Sequence, residues 1–109
     1  MPENQFHLCP KFYQTFTVLG QKWNGLIIEA LVCQHVLRFK ELAQIIPKCS
    51  DRVLVQRLKE LADVGILKRE TDAQTKVVTY ALTKKGQGLK PIMHDVHEWS
   101  DKWCHCHCN

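Results

Sequence analysis

The sequence predicts a mainly α fold with one small β-hairpin, and two observations carry that expectation. Apolar residues recur every three to four positions through most of the chain, the spacing that lines one face of a helix. Residues 66–71 and 77–82 read instead as strands, and the polar run 72–76 joins them as a hairpin loop. At 109 residues there is room for one domain and one modest core. No internal repeat or low-complexity linker divides the sequence, so 1–109 is expected to be one unit, ordered over about 9–103 with a Cys/His-rich tail at 104–109.

Each element follows from local chemistry. Cys9-Pro10 opens a first helix, because proline in the first turn loses no hydrogen bond there. Phe12, Phe16 and Leu19 follow at helical spacing, and Gly20 closes the segment. A second helix is predicted over about 22–33, with Trp23, Leu26, Ile27, Ala30 and Leu31 as its apolar stripe. Leu37-Arg38-Phe39 reads as a short extended piece. The brief helix after it carries Leu42, Ile45 and Ile46 and ends at Pro47, since the residue before a proline resists helical geometry. Lys48-Cys49 then turn the chain into Ser50, a good N-cap, with Asp51 beside the positive helix end. That helix runs to Gly65 and places Leu54, Leu58 and Leu61 on one side. After the hairpin, Thr83 caps a long final helix whose face bears Leu89, Ile92, Met93, Val96, Trp99 and Trp103.

Helix, short strand, helix, tight turn, helix, hairpin is the order of a winged helix-turn-helix. In that arrangement the helix from Ser50 enters the major groove of double-stranded DNA, and the hairpin tip reaches the flanking backbone or minor groove. With Leu54, Leu58 and Leu61 turned inward, Arg52, Gln56, Lys59 and Asp63 face outward. Arginine can donate two hydrogen bonds to guanine, and glutamine can exchange two with adenine. Lys59 lies further along and suits a phosphate, while Ser50 and the first-turn N–H groups could hold a phosphate oxygen. Arg57 sits at the margin of the buried stripe and fits a phosphate contact or an internal ion pair equally well. On the hairpin Lys76 is the expected phosphate ligand, with Gln74 and Thr75 as lesser candidates. By pattern alone these residues would serve equally well as the solvated face of any surface helix.

The formal net charge of +4 mildly favours a polyanionic partner. No basic-then-apolar leader opens the chain and no apolar run is long enough to span a bilayer, so a cytoplasmic protein without a membrane partner is expected. No phosphate-binding glycine loop, nucleophile motif or paired acids are present, which argues against an enzyme. A thiol enzyme built on Cys9 would need a positioned base, and His7 is a weak candidate.

The chain resembles the HxlR-type family of bacterial winged-helix transcription regulators, relatives of the MarR group. The marks are Cys9-Pro10, then Gly20-Gln21-Lys22-Trp23, then Arg38-Phe39-Lys40-Glu41-Leu42, the run 50–61, Gly65-Ile66-Leu67-Lys68-Arg69, and the run 80–86. In this order and spacing they cover nearly the whole chain. The resemblance implies a DNA-binding homodimer on a near-palindromic operator close to its own or a neighbouring gene. It also makes the first and last helices the dimer interface: Phe12, Phe16, Leu89, Ile92, Met93, Val96, Trp99 and Trp103. That agrees with an apolar stripe too large to find a partner within so small a monomer. The sequence departs from the family in lacking a glycine turn before Arg38-Phe39. It also has Thr75-Lys76 where the wing usually carries a proline, which leaves the wing's conformation and base contacts open. Cys49 takes a position commonly held by a buried aliphatic, so a core thiol is expected. The rival reading keeps the winged-helix shape as a protein-interaction module that does not bind DNA.

The six cysteines lack the secretory context of a disulfide scaffold. Cys9 falls at a helix N-terminus beside Lys11, where positive potential favours a reactive thiolate. Some members of the family sense oxidants or electrophiles through a cysteine in this Cys-Pro position. A disulfide across the dimer, or a mixed disulfide, would shift both recognition helices. A purely structural N-cap cysteine is the equal alternative, and Cys33 and Cys49 are the resolving thiols to consider. Cys104, Cys106 and Cys108 alternate with histidines in a pattern of zinc or copper(I) ligands, which would make a metal-responsive regulator. Their one-residue spacing is poor for a closed zinc site, so chance enrichment at a chain end is the stronger expectation, and no cofactor is required. The inducer expected of such a regulator is a small molecule or an oxidant.

Overall fold

The computed structural model describes residues 5–105. Among them, in order, are α1 (Pro10–Leu19), α2 (Asn24–Gln34), β1 (Val36–Leu37), α3 (Phe39–Ile45), α4 (Asp51–Asp63), β2 (Leu67–Thr71), β3 (Val78–Leu82), α5 (Lys84–Gln87) and α6 (Lys90–Trp103). The strands form an antiparallel sheet in the order β1-β3-β2, with Leu37 opposite Tyr80 and Leu67 opposite Leu82. This is the expected mainly helical architecture with a small β-wing.

The core gathers Ile27, Ile28 and Leu31 of α2, Leu42 of α3, and Leu54, Leu58 and Leu61 of α4, all essentially fully buried. Leu37, Leu67 and Leu82 close it from the sheet. Burying such a side chain contributes about 1.5–3 kcal/mol, so the three leucines on one face hold α4 firmly against α2 and the sheet. Both ends of α4 form as its sequence predicts. Ser50 Oγ accepts the Val53 N–H at 3.2 Å. Gly65 takes φ +81°, and the N–H of Ile66 reaches back to the Leu61 carbonyl at 3.0 Å.

Four expectations need correction. Trp23 is not part of the second helix but stands in the left-handed region at φ 83° in the turn before it. Asn24 starts α2 instead, and its Nδ2 donates to the Val18 carbonyl at 2.9 Å, fastening the end of α1 to the start of α2. Leu26 is 55% exposed, because it points into a groove shared with Met93 and Val96 of α6 rather than into the core. Phe39 begins α3 rather than extending β1, and within α3 Leu42 is buried while Ile45 is exposed. The last helix is broken. Thr83 caps only α5, and α6 starts afresh at Lys90. Pro91 explains the break, since in one continuous helix its ring would strike the Gln87 carbonyl and its missing N–H would leave that carbonyl unpaired.

Candidate nucleic-acid interface

Because Leu54, Leu58 and Leu61 fix the inner side of α4, its outer side is fixed too. Arg52, Gln56, Lys59 and Asp63 are all exposed on it. Between them lies Val55, 54% exposed, a residue the sequence reading passed over. Its signal was present: three residues after Arg52 and four before Lys59, it falls on the same helical face. Arg57 is different. Its side chain is only 16% exposed. Nε donates to the Lys22 carbonyl at 3.2 Å and Nη1 to Glu60 Oε1 at 2.9 Å. Of the two expectations for Arg57, the structure contains the internal one.

The wing is the β2–β3 hairpin. Asp72 organises its tip: Oδ1 accepts the N–H groups of Gln74 and Thr75, both at 2.8 Å. The Asp72 carbonyl accepts the Lys76 N–H at 2.9 Å. The N–H of Thr75, then that of Gln74, hold the Asp72 carboxyl below its ordinary range. The loop is therefore closed by a carboxylate, with no proline before its second strand. Lys76 sits at the tip with φ 62°, exposed to solvent. Arg38, at the start of α3, borders a cleft with Thr75 and Thr79 of the wing and adds a cation there.

A model of the HxlR-like helix-turn-helix family matches residues 18–108. The chain belongs to this family. It is 41% identical over 98 residues to the HTH-type transcriptional regulator YodB of Bacillus subtilis, spanning 89% of this chain and 87% of YodB. The solved reduced form of YodB superposes with a TM-score of 0.79 at 40% identity, over 91% of this chain and 97% of that one. The redox regulator HypR in its oxidized form gives a TM-score of 0.79 at 33% identity, over 90% of this chain and all of that one. The HxlR-type chain described here is accordingly a DNA-binding transcription regulator with a winged helix.

Its outer helices leave much apolar surface uncovered. No residue of α1 is buried, and the rings of Phe12 and Phe16 lie against each other with centroids 4.9 Å apart. Leu89, just before α6, and Met93 on it pack onto the core, whereas Ile92, Val96, Trp99 and Trp103 of α6 are exposed. The predicted stripe thus divides into an inward pair and an outward set. His97 of α6 holds the helix to α2 through Nε2, which pairs with Glu29 Oε2.

Cys9 is exposed at the N-terminal end of α1, and its side chain makes no capping bond. Cys33 is exposed on α2 and donates to Glu29 Oε2 at 3.5 Å. Packing around its sulfur, then the bond to Glu29 and that carboxylate's charge, push the Cys33 thiol up. Cys49 is buried in the core, as expected, and burial pushes its thiol up as well. Cys104 is exposed just past α6, while Cys106 and Cys108 lie outside the described residues. Among the described residues, no group of three or more His, Cys, Asp or Glu side chains is placed to hold a metal ion. Nor is any helix among them long and apolar enough to cross a membrane.

The α2–α6 contact carries a pH prediction. Hydrogen bonding to Glu29, that carboxylate's charge and, more weakly, Asp101 raise the His97 pKa above the ordinary histidine value. A raised folded-state pKa gives stability that is complete below the unfolded value, about 6.5, and is lost as pH rises through the folded value. The melting temperature should fall over that alkaline window more in the wild type than in His97→Gln. Parallel pH profiles for the two proteins would discard the contact as a source of stability.

Proposed function

We propose that the chain acts as a homodimer on a near-palindromic operator, each subunit presenting α4 to one major groove and its wing to the adjacent backbone. The exposed row Arg52, Val55, Gln56 and Lys59, on a helix whose other side is locked into the core, is the observation that carries this reading. Arg52 and Gln56 supply donors and acceptors for base edges, and Val55 offers an apolar contact for a thymine methyl. Ser50, Lys59 and Lys76 serve phosphates. The outward faces of α1 and α6 form the subunit interface through Phe12, Phe16, Ile92, Val96, Trp99 and Trp103, with Leu89 and Met93 bracing α6 from beneath.

The regulatory signal in this reading is chemical modification of Cys9. The exposed sulfur at a helix N-terminus supports it. So do the relatives, for YodB has been solved in diamide-treated and quinone-bound forms and HypR in oxidized and reduced forms. Diamide would take two electrons and two protons from a pair of thiols to leave a disulfide. A quinone would accept the thiolate at a ring carbon, forming a C–S bond and a hydroquinone ring. Cys33, exposed, is open to the role of second thiol, whereas Cys49 would first have to leave the core.

A mobility-shift assay on the gene's own upstream region tests both parts. The reduced protein is expected to retard that duplex in preference to a scrambled one. Diamide or benzoquinone should change the affinity, and Cys9→Ser should abolish that change. Absence of any preference for the upstream duplex would favour the interaction-module reading. A full response in Cys9→Ser would remove this cysteine as the sensor.

A further inference from the structure

Arg57 is the basic side chain of α4 that DNA reading leaves unused. It reaches away from the outer face to a backbone carbonyl 35 positions earlier, that of Lys22, and binds Glu60 one turn along its own helix. Lys22 belongs to the turn between α1 and α2, where Trp23 is held at φ 83° and Asn24 ties back to Val18. The Lys22 ammonium itself lies over the Trp23 ring, 4.9 Å from its centroid. A guanidinium suits this position because its rigid fork serves a carbonyl and a carboxylate together, which a lysine ammonium does with far less geometric control.

The leucines set how deeply α4 sits, but apolar contacts are non-directional and tolerate rotation about the helix axis. A directional hydrogen bond at the margin of the buried stripe does not. Rotating the helix by about 10° moves a side-chain end at a radius of ~6 Å by about 1 Å. That displacement carries the 3.2 Å bond from Arg57 Nε to the Lys22 carbonyl out of useful range. We infer that Arg57 is a positioning residue that fixes the rotation of α4 against the α1–α2 turn, and through it the aim of Arg52 and Gln56, rather than a ligand of DNA phosphate. This rests on the reading of α4 as the DNA-recognition helix.

Anisotropy titrations of the full chain separate the roles, using the gene's upstream duplex and a scrambled duplex of equal length over a salt series. For a positioning residue, Arg57→Ala lowers the preference for the upstream duplex by about tenfold, the scale of one misread base contact, and leaves the salt slope on the scrambled duplex unchanged. For a phosphate ligand, both affinities fall equally and the slope flattens by about one unit, which would overturn the inference. Arg57→Lys keeps the charge and guards against failure of the alanine variant to fold. It is expected to retain wild-type affinity for the scrambled duplex and to lose preference for the upstream one. Full wild-type preference in Arg57→Lys would show that charge suffices and would also overturn it. If the wild type shows no preference at all, the recognition role of α4 falls first and this inference falls with it.

Discussion

Gly86→Ala is expected to destabilise the protein by about 3 kcal/mol, the upper range for forcing extra volume into a packed site. A Cβ at Gly86 would lie 2.0 Å from the Ile66 carbonyl oxygen and 3.0 Å from Leu82 Cδ2. The backbone carbonyl cannot give way cheaply. The Ile66 carbonyl already accepts the Thr83 N–H at 3.0 Å, and the Thr83 hydroxyl donates to the Gly65 carbonyl while accepting the Gly86 N–H at 3.1 Å. These bonds join the end of α4, the start of β2 and the cap of α5. An alanine must push α5 off this junction and break several of them, and α6 departs from α5 in a direction the same junction sets. Urea unfolding followed by circular dichroism measures the effect. A midpoint unchanged from the wild type, at unchanged slope, would falsify the close-packing argument.

What the sequence disclosed, and what it hid, follows the range of the forces involved. Ser50, Leu54, Leu58, Leu61 and Gly65 announce α4 because capping and helical periodicity act within a few residues. The outward placement of Arg52, Gln56 and Lys59 follows from the same periodicity. Trp23 falls outside the helix because it stands in a turn with partners the local pattern does not name, such as Arg57, which bonds the neighbouring Lys22 carbonyl from far along the chain. For the same reason the direction of Arg57 was undecidable: both candidate partners are plausible for a residue at a stripe's edge. The contact between Glu29 and His97 joins positions 68 apart and leaves no periodic trace. Two signals were local and still missed. Pro91 forbids a continuous last helix, but the regular spacing of Leu89, Ile92, Met93 and Val96 concealed the break. On the wing, the missing proline left the conformation open, while Asp72 with Thr75 three residues later already held the chemistry of a closed turn.

Arg52→Ala and Gln56→Ala should each cost about 1–3 kcal/mol of binding to the operator and little on unrelated sequence. The two positions are four residues apart, a rise of about 6 Å along α4. That is nearly two base steps at about 3.4 Å each, so the two side chains are spaced to address separate base pairs in one groove. Removing either leaves its base edge unpaired in a desolvated interface, and the loss should appear only on the sequence that offers that edge. Lys76→Ala supplies the contrast. Lysine and alanine both carry a Cβ, so the left-handed backbone at φ 62° is no more strained by the change, and the charge is what is lost. A phosphate contact carries no base information, so affinity should fall alike on all sequences and the salt dependence should flatten by about one unit. Titrations of the three variants on matched and scrambled duplexes give both quantities together. Undiminished specific binding in Arg52→Ala and Gln56→Ala would place the reading face elsewhere. Since Leu54, Leu58 and Leu61 leave α4 no second exposed face, it would then have to lie on another element, with the wing and its Arg38 neighbour next in line.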